Sequence, residues 1–540
     1  MRGRNRIPVS EILGVKREPS LDAENPESLE TSSFGSINKG DGLEASSTDL
    51  LGSSAHTSNS TSSAPKCNVK DFAVRVYYAQ RSWKHRWKLC HVTFRSTDQA
   101  LVSVFYHAIR QAIAAEENRP KNLLIFINPY GGKKQAKKIF EKHFSPLLHI
   151  SGIQYEAIET TRARHAYDHL QTCDLEDCDG IVAVGGDGMF SEILNGILIR
   201  TAREGKINLN DASIEPLSPK IRLGMVPAGS SNALSQASNG TLDPLSAVIH
   251  IILGDRLALD VCAVRKGGLL LQAAVTFMGY GFVGDVLSVS EQLRCLGPTR
   301  YLVAGAKVLF THRSYKGEVW YRGGPPVPFD PLSSPPCLTG CTVCKASHLK
   351  ATLRQQSLPQ SASSFISPVS SNQGDLGEWK CMSGRFLQVG LCVSTCDNMH
   401  SPGGLSPRAH FGDGHMDLLL VKKTSFFNYI RFLLRLHFSA GSQYQMSFAS
   451  LRRVQEMKYI PREDPNQTHS IWNCDGEIQA DPALNFRIHC QLVEIFSRGI
   501  EDFPRDPPSC FAAFFSPLKS PPVLPLSFSS SPSSPSGHII

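Results

Sequence analysis

An aspartate set in a glycine turn is the residue of this sequence that most invites a chemical reading. The stretch "IVAVGGDGMFSEILNGI", Ile181–Ile197, runs four apolar residues into Gly185, Gly186, Asp187 and Gly188, then into apolar residues at helical spacing. An Asp at that junction suits two jobs. It can cap a helix, because its oxygens accept the unpaired N–H groups of a first turn. It can also serve as general base for a hydroxyl attacking a phosphoryl group, which needs a carboxylate near the phosphates but not on them. Two more glycine-bearing turns follow short apolar runs, Asn128–Lys133 ("NPYGGK") and Ala228–Asn232 ("AGSSN"). At the carboxyl ends of strands in an open sheet, such turns let backbone N–H groups approach phosphate oxygens, and the next helix N-terminus adds positive potential. The chain has no G-x-x-x-x-G-K-[ST] loop, and "GGDG" is not G-x-G-x-x-G. A nucleotide here must be held by something other than a Walker loop.

The turns need a scaffold, and the flanking pattern supplies one. From Pro120, "NLLIFIN", "IQYEAIE", "DGIVAV" and "IRLGMVP" read as buried strands, separated by "QAKKIFEKHFSPLL", "ARHAYDHLQ" and "MFSEILNGILIRTA" at helical spacing. Pro146 is expected to end or kink the first of these helices. This alternation predicts a parallel-sheet α/β catalytic domain over residues 118–256. After Leu257 strands dominate, including "LALDVCAVR", "LLLQAAVTFMGYGF", "GRFLQVGLCV" and "NFRIHCQLVEIFS". They predict a mainly antiparallel β second domain over 257–501, with a Pro/Ser-rich inserted loop at 324–378. Residues 66–117 read as strands followed by one helix, like a partial pleckstrin-homology region. Their basic group Arg81, Lys84, His85, Arg86 and Lys88, interleaved with Trp83 and Trp87, suits anionic headgroups or a hairpin packed on the next domain. Residues 1–65 and 502–540 are expected to be disordered.

Composition narrows the class. With 540 residues, 41% hydrophobic and 19% charged, the chain falls among soluble globular proteins, and its net charge of +8 suits an anionic ligand or membrane surface. No apolar run approaches the roughly 18–20 residues of a membrane span. The start shows no evident signal peptide, and Arg2 excludes N-myristoylation. The scattered cysteines read as reduced thiols, so a cytoplasmic protein that meets membranes peripherally is expected. Cys337, Cys341 and Cys344 form C-x3-C-x2-C, either ordinary thiols or three ligands of a Zn²⁺ site that His348 or Cys381 would complete. "FFNYIRFLLRLHF", Phe426–Phe438, carries Arg431 and Arg435 four residues apart. It reads as a calmodulin- or membrane-binding amphipathic helix, or as a core helix with a solvated edge.

Together, "NPYGGK", "VGGDGMFSEILNG", "VPAGSSNAL" and "WNCDGE" resemble, in order, the motifs of the diacylglycerol/sphingosine/ceramide lipid kinase family, over roughly Arg119–Gly499. "MGYGFVGDVLSVSEQLRCLGPTRY", "CLTGCTVC" and "GLSPRAHFGDG" resemble its ceramide branch. The resemblance implies a pleckstrin-homology domain at the N-terminus, to which "IPVSEILGV" is also similar. It implies an ATP-dependent kinase acting on the primary hydroxyl of ceramide or a related sphingolipid, with Mg²⁺, possible Ca²⁺/calmodulin stimulation and no nucleic-acid partner. Asp187 would be the base, with Gly185, Gly186 and Gly188 on the substrate side. ATP would meet Asn128, Pro129, Tyr130, Thr160, Thr161, Arg162, Ala163, Arg164, Glu192, Arg294, Arg300, Asp475, Gly476 and Glu477. In bacterial members the D-G-E aspartate has also been proposed as base, so Asp187 and Asp475 compete for the role. Some positions depart from the pattern. Lys134 stands where relatives often have Gly, which would stiffen the first turn. "PAGSSNA" is closer to the sphingosine branch, whereas Leu287 replaces the acid by which that branch pairs a substrate amine. A sphingoid-base or diacylglycerol kinase, or a catalytically silent lipid-binding relative, are the alternatives.

Overall fold

The computed structural model describes residues 7–18, 72–324, 330–356, 376–398, 401–465 and 468–502. At the N-terminus β1 (Ile12–Glu18), β2 (Phe72–Arg81) and β3 (Trp87–Ser96) form an antiparallel three-stranded sheet, followed by α1 (Gln99–Ala114). The α/β region comprises β4 (Asn122–Ile127), α2 (Ala136–Ile139), α3 (Ser145–Ser151), β5 (Gln154–Glu159), α4 (His165–Leu170), β6 (Gly180–Gly185), α5 (Asp187–Glu204), β7 (Arg222–Pro227), α6 (Ala233–Asn239) and α7 (Pro244–Leu253). A π-helical turn at Phe140–Phe144 joins α2 to α3, and Pro146 lies in the first turn of α3, so the helix does not end at the proline but changes its winding just before it.

Beyond it come β8 (Leu257–Lys266), β9 (Leu269–Ala274), β10 (Phe277–Gly281), α8 (Phe282–Gln292), α9 (Arg300–Thr311), β11 (Tyr315–Arg322), α10 (Thr342–Gln356) and β12 (Lys380–Cys392). The chain continues through β13 (Met416–Lys422), α11 (Phe426–Phe438), β14 (Ala449–Val454), β15 (Glu456–Pro461), β16 (Trp472–Cys474), β17 (Glu477–Gln479) and β18 (Asn485–Ile495). Among the described residues no helix is long and apolar enough to cross a membrane.

The parallel strands lie in the order β5-β4-β6-β7, so the chain leaves β4 to one side for β5 and to the other for β6. This reversal puts the turns after β4 and β6 at the crevice where open α/β sheets bind ligands. Alternation fills both faces: Leu124 and Phe126 pack with α4 and α5, while Leu123, Ile125 and Ile127 pack with the α2–α3 and α7 layer. β18 pairs antiparallel with β8 and β15 and parallel with β7 through Ile495 and Leu223, so one 15-stranded sheet runs through the parallel and antiparallel parts.

The expectation of disorder over residues 1–65 fails at its start. Leu13 on β1 is fully buried in the cluster that holds Ile125, Phe144 and Trp87, and Gly14 sits against the Ile150 carbonyl, where no side chain fits. The rest of that segment, from residue 19, and the tail from residue 503 lie outside the described residues. The insert 324–378 is more than a loop, because it contains α10. Of the basic and aromatic group at residues 81–88, Arg81 and Trp87 are spent internally. Trp87 is buried, its N–H donates to Ser246 Oγ at 2.8 Å, and Arg81 and Arg498 lie over its ring. Arg81 also pairs with Glu11 and Glu501, which leaves Trp83, Lys84, Arg86 and Lys88 exposed. If β1 belongs to the core of the α/β region, Leu13→Ala should cost about 2–5 kcal/mol, the usual range for such a core deletion. Chemical denaturation of the full chain would read this, and a loss well under about 1 kcal/mol would show that β1 is peripheral.

Candidate active site

The three glycine turns meet. A Cβ on Gly132 would lie 2.6 Å from the Gly229 carbonyl carbon, and one on Gly186 would lie 2.9 Å from the Ser231 carbonyl oxygen. Glycine is required because backbone touches backbone. Two of the turns are closed by an amide side chain. Asn128 Oδ1 accepts the N–H groups of Tyr130 and Gly131 at 3.0 and 3.1 Å. Asn232 accepts from Gly229 N–H at 3.0 Å and donates back to its carbonyl at 3.2 Å. An Asp at 232 could make only the first of those bonds, so the Asn of "PAGSSNA" closes this turn more fully. Lys134, the other departure, adopts φ 56°, the left-handed conformation that glycine takes at lower cost.

Asp187 opens α5, yet its carboxylate caps another helix. Oδ2 accepts Ala233 N–H at 2.9 Å and Oδ1 accepts Leu234 N–H at 3.1 Å, both in the first turn of α6. The capping role foreseen for this residue is therefore filled across the crevice. Removal from water pushes its carboxyl above the ordinary aspartate range, against the pull of those N–H groups and the Ser231 hydroxyl. The side chain remains half-exposed.

Asp475 sits in the hairpin between β16 and β17. Its φ of 49° and the 90° of Gly476 make the two-residue Asp-Gly loop that tight hairpins favour. Its carboxylate is buried and full. It accepts N–H groups from Val275 at 2.7 Å, Thr276 at 3.1 Å and Phe277 at 2.8 Å, and the Thr276 hydroxyl. These donors belong to the break between β9 and β10, so "LLLQAAVTFMGYGF" is two strands rather than the single one expected. Burial pushes the Asp475 carboxyl up, the Thr276 hydroxyl and the Val275 and Phe277 N–H groups pull it down, and the charge of Asp187 pushes it up again, so the two aspartates sense each other.

The other predicted residues divide. Glu192 on α5 caps α4 by accepting Ala166 N–H at 2.7 Å and Tyr167 N–H at 3.3 Å. Arg164, with φ 61° at the start of α4, lies over the Tyr167 ring. Glu477 stands at the exposed rim near both. Crowding by protein raises its carboxyl most, Asp475 and Glu192 add to the rise, and Arg164 opposes it. Thr160 is buried, with its N–H and hydroxyl donating to the Ile127 carbonyl. The Thr161 N–H meets His165 Nδ1, and Arg162 forms an exposed pair with Asp168. Ala163 is exposed beside them, as is Tyr130. Arg300 pairs with Glu291 at 3.1 Å and bonds the Tyr301 hydroxyl, with no contact to the turns among the described residues. The Arg294 side chain lies outside the described residues. Cys337, Cys341 and Cys344 do come together, but the imidazole beside them is His410. His348 contacts Gln491 and Cys381 contacts Ser383, so neither expected fourth ligand is in place.

Val275, Thr276 and Asn195 were missed. Asn195 brackets Ala273 of β9 with bonds of 2.7 and 3.1 Å and so ties α5 to the strand that ends at Asp475. Only the interruption of the apolar run by Thr276 hinted at the break.

The family models agree with this layout. One described as the ceramide kinase PH domain matches residues 52–109, the diacylglycerol kinase catalytic domain matches 122–264, and the ceramide kinase C-terminal domain matches 341–511. Fold and site define a lipid kinase built on a diacylglycerol-kinase-type catalytic domain. Human ceramide kinase (Homo sapiens) is 35% identical over 462 residues, covering 81% of this chain and 84% of that protein. Mouse ceramide kinase (Mus musculus) is 36% identical over 457 residues, covering 80% and 84%. Ceramide kinase 1 of Caenorhabditis elegans is 32% identical over 447 residues, covering 80% and 76%. The chain belongs to the ceramide kinase family.

The two aspartates should respond differently to amide substitution. Asp475→Asn turns a donor toward backbone N–H groups and loses charge-assisted bonds, each worth about 1.5–3 kcal/mol, so a clear fall in Tm is expected. Thermal unfolding checks this, and an unchanged Tm with lost activity would return Asp475 to candidacy as base.

Proposed function

We propose that this protein transfers the γ-phosphoryl group of ATP to the primary hydroxyl of ceramide, giving ceramide 1-phosphate, with Asp187 as general base. The observation that carries the reading is the contrast between the carboxylates. A carboxylate offers about four acceptor positions. Asp475 is buried and takes four hydrogen-bond donors, whereas Asp187 takes two, the Ala233 and Leu234 N–H groups, with the Ser231 hydroxyl and its own N–H nearby, and is only half-buried. Its raised affinity for a proton suits removal of one from an alcohol near neutral pH. The lipid oxygen forms its bond to the γ-phosphorus as the bond to the β–γ bridging oxygen breaks. ADP leaves, and the hydroxyl proton passes to Asp187.

The nucleotide would lie along the Asn128–Lys133 turn and the Thr160–Arg164 segment. Glu477 carries a carboxyl raised in part by neighbouring carboxylates, and a carboxylate oxygen so placed suits a hard divalent cation. Glu477 would hold Mg²⁺ together with phosphate oxygens, and the ion would supply neutralisation of phosphoryl charge.

The lipid end is supported by the helices. A small cavity of about 10 Å³ lies among α8, α9 and α11, lined by Phe282, Val308, Leu309, Leu387 and Tyr429 together with Asp285, His312 and Arg313. It is too small for two acyl chains, so these helices must part. Their outer faces are apolar: Leu302, Phe310, Phe427 and Phe438 are each more than two-thirds exposed, and Lys307 and Arg431 lie on the same helices. We read this face as resting on a membrane, consistent with the PH domain match. Calmodulin fits α11 less well, because Tyr429 and Phe432 are buried in the core and wrapping would have to extract them.

Purified full chain with labelled ATP should phosphorylate ceramide at least about tenfold better by kcat/KM than sphingosine, since buried Leu287 offers an ammonium no partner. Equal or better use of sphingosine or diacylglycerol would overturn the substrate assignment. Phe310→Ser combined with Phe438→Ser should weaken cosedimentation with anionic vesicles about tenfold or more, from lost apolar burial, while leaving activity on a dispersed short-chain ceramide near normal. Unchanged vesicle binding would remove this face from the account.

A further inference from the structure

The insert brings three thiols and one imidazole to a point. Cys337 precedes α10, Cys341 immediately precedes its first residue, and Cys344 lies in its first turn. His410 comes from the loop before β13, distant in sequence, and is buried. One ligand atom from each of the four lies within 4.8 Å of every other. Cys337 Sγ and Cys344 Sγ are 3.7 Å apart, and Cys341 Sγ is 3.3 Å from His410 Nδ1. A disulfide would require sulfurs at about 2.05 Å. Tetrahedral Zn²⁺, with Zn–S of about 2.3 Å and Zn–N of about 2.0 Å, places its ligand atoms about 3.5–3.8 Å apart. The 3.7 Å sulfur pair matches the second arrangement and not the first, and the Cys341–His410 pair lies about 0.2 Å inside it.

The surroundings agree. Backbone N–H groups of Val343 and Cys344 point at the Cys341 sulfur, and that of Gly412 points at the Cys344 sulfur, as donors that stabilise metal-bound thiolates do. His410 turns Nδ1 toward the thiols, and its buried Nε2 has no polar partner among the described residues that would draw the ring elsewhere. We propose that Cys337, Cys341, Cys344 and His410 form a structural Zn²⁺ site that staples the insert to the 406–414 loop. Four protein ligands leave no open position, so the ion is not a catalyst. Its influence is mechanical. Phe411, next to His410, and Cys337 pack into the cluster that supports Met189, Phe190 and Ile193 of α5, the helix that Asp187 begins. The site stands independently of the substrate assignment.

Metal analysis of the full chain, purified without chelator, should find about one zinc per molecule. Exchange into Co²⁺ should give the visible bands of a tetrahedral thiolate site. Cys341→Ser and His410→Ala should lose the metal, whereas His410→Cys should keep it. If the first two fail to fold, the wild-type zinc content and cobalt spectrum still decide. Folded wild-type protein without zinc, or a Cys337–Cys344 disulfide seen as a 2 Da mass deficit, would overturn the proposal. So would full zinc content in folded Cys341→Ser.

Discussion

Backbone packed against backbone at Gly132, Gly186 and Gly229 is the contact on which the rest of the site depends. No side chain fits between these turns. Because they touch, Asp187 at the start of α5 can reach the first-turn N–H groups of α6, and one carboxylate ties two helices across the crevice. The same junction gathers the carboxyl ends of β4, β6 and β7, where helix N-termini and glycine backbone favour phosphate. A methyl group anywhere in it would separate the turns and move the acid with them.

The two aspartates show how environment assigns roles to like residues. Each heads a tight glycine turn and each is raised by burial. Asp475 spends its oxygens on the break between β9 and β10 and so fixes the second half of the sheet near the first. Asp187 spends fewer and keeps a face toward solvent. Their mutual repulsion means that neutralising one alters the other, which is a reason for both to sit beside a phosphate-binding crevice that a cation can also occupy.

The parallel half of the fold was legible because its strands are continuous apolar runs and its helices carry a clear period, as in "DGIVAV" followed by "MFSEILNGILIRTA". The antiparallel half was legible as strands but not as pairings, since partners such as β10 and β16 are distant in sequence. The motifs located Asp187 and Asp475 without showing what either contacts. That Asp187 caps α6 depends on the meeting of turns about forty residues apart, and no local pattern encodes it. The place of His410 beside the three thiols was invisible for the same reason, while His348, nearer in sequence, faces Gln491 instead. β1 was passed over because a short strand beside a long polar segment carries little periodicity, and its burial comes from α3 and the sheet beyond.

The central claim is that Asp187 takes the proton from the lipid hydroxyl. The pH dependence of kcat/KM in wild type and Asp187→Asn tests it most directly. A base must be deprotonated to act, so activity should fall as pH drops through its raised pKa, above the ordinary aspartate value of about 3.9. Asp187→Asn should lose that limb and about 10²–10⁴ in rate, while still binding ATP. A variant that kept the same acid limb and near-normal rate would contradict the account.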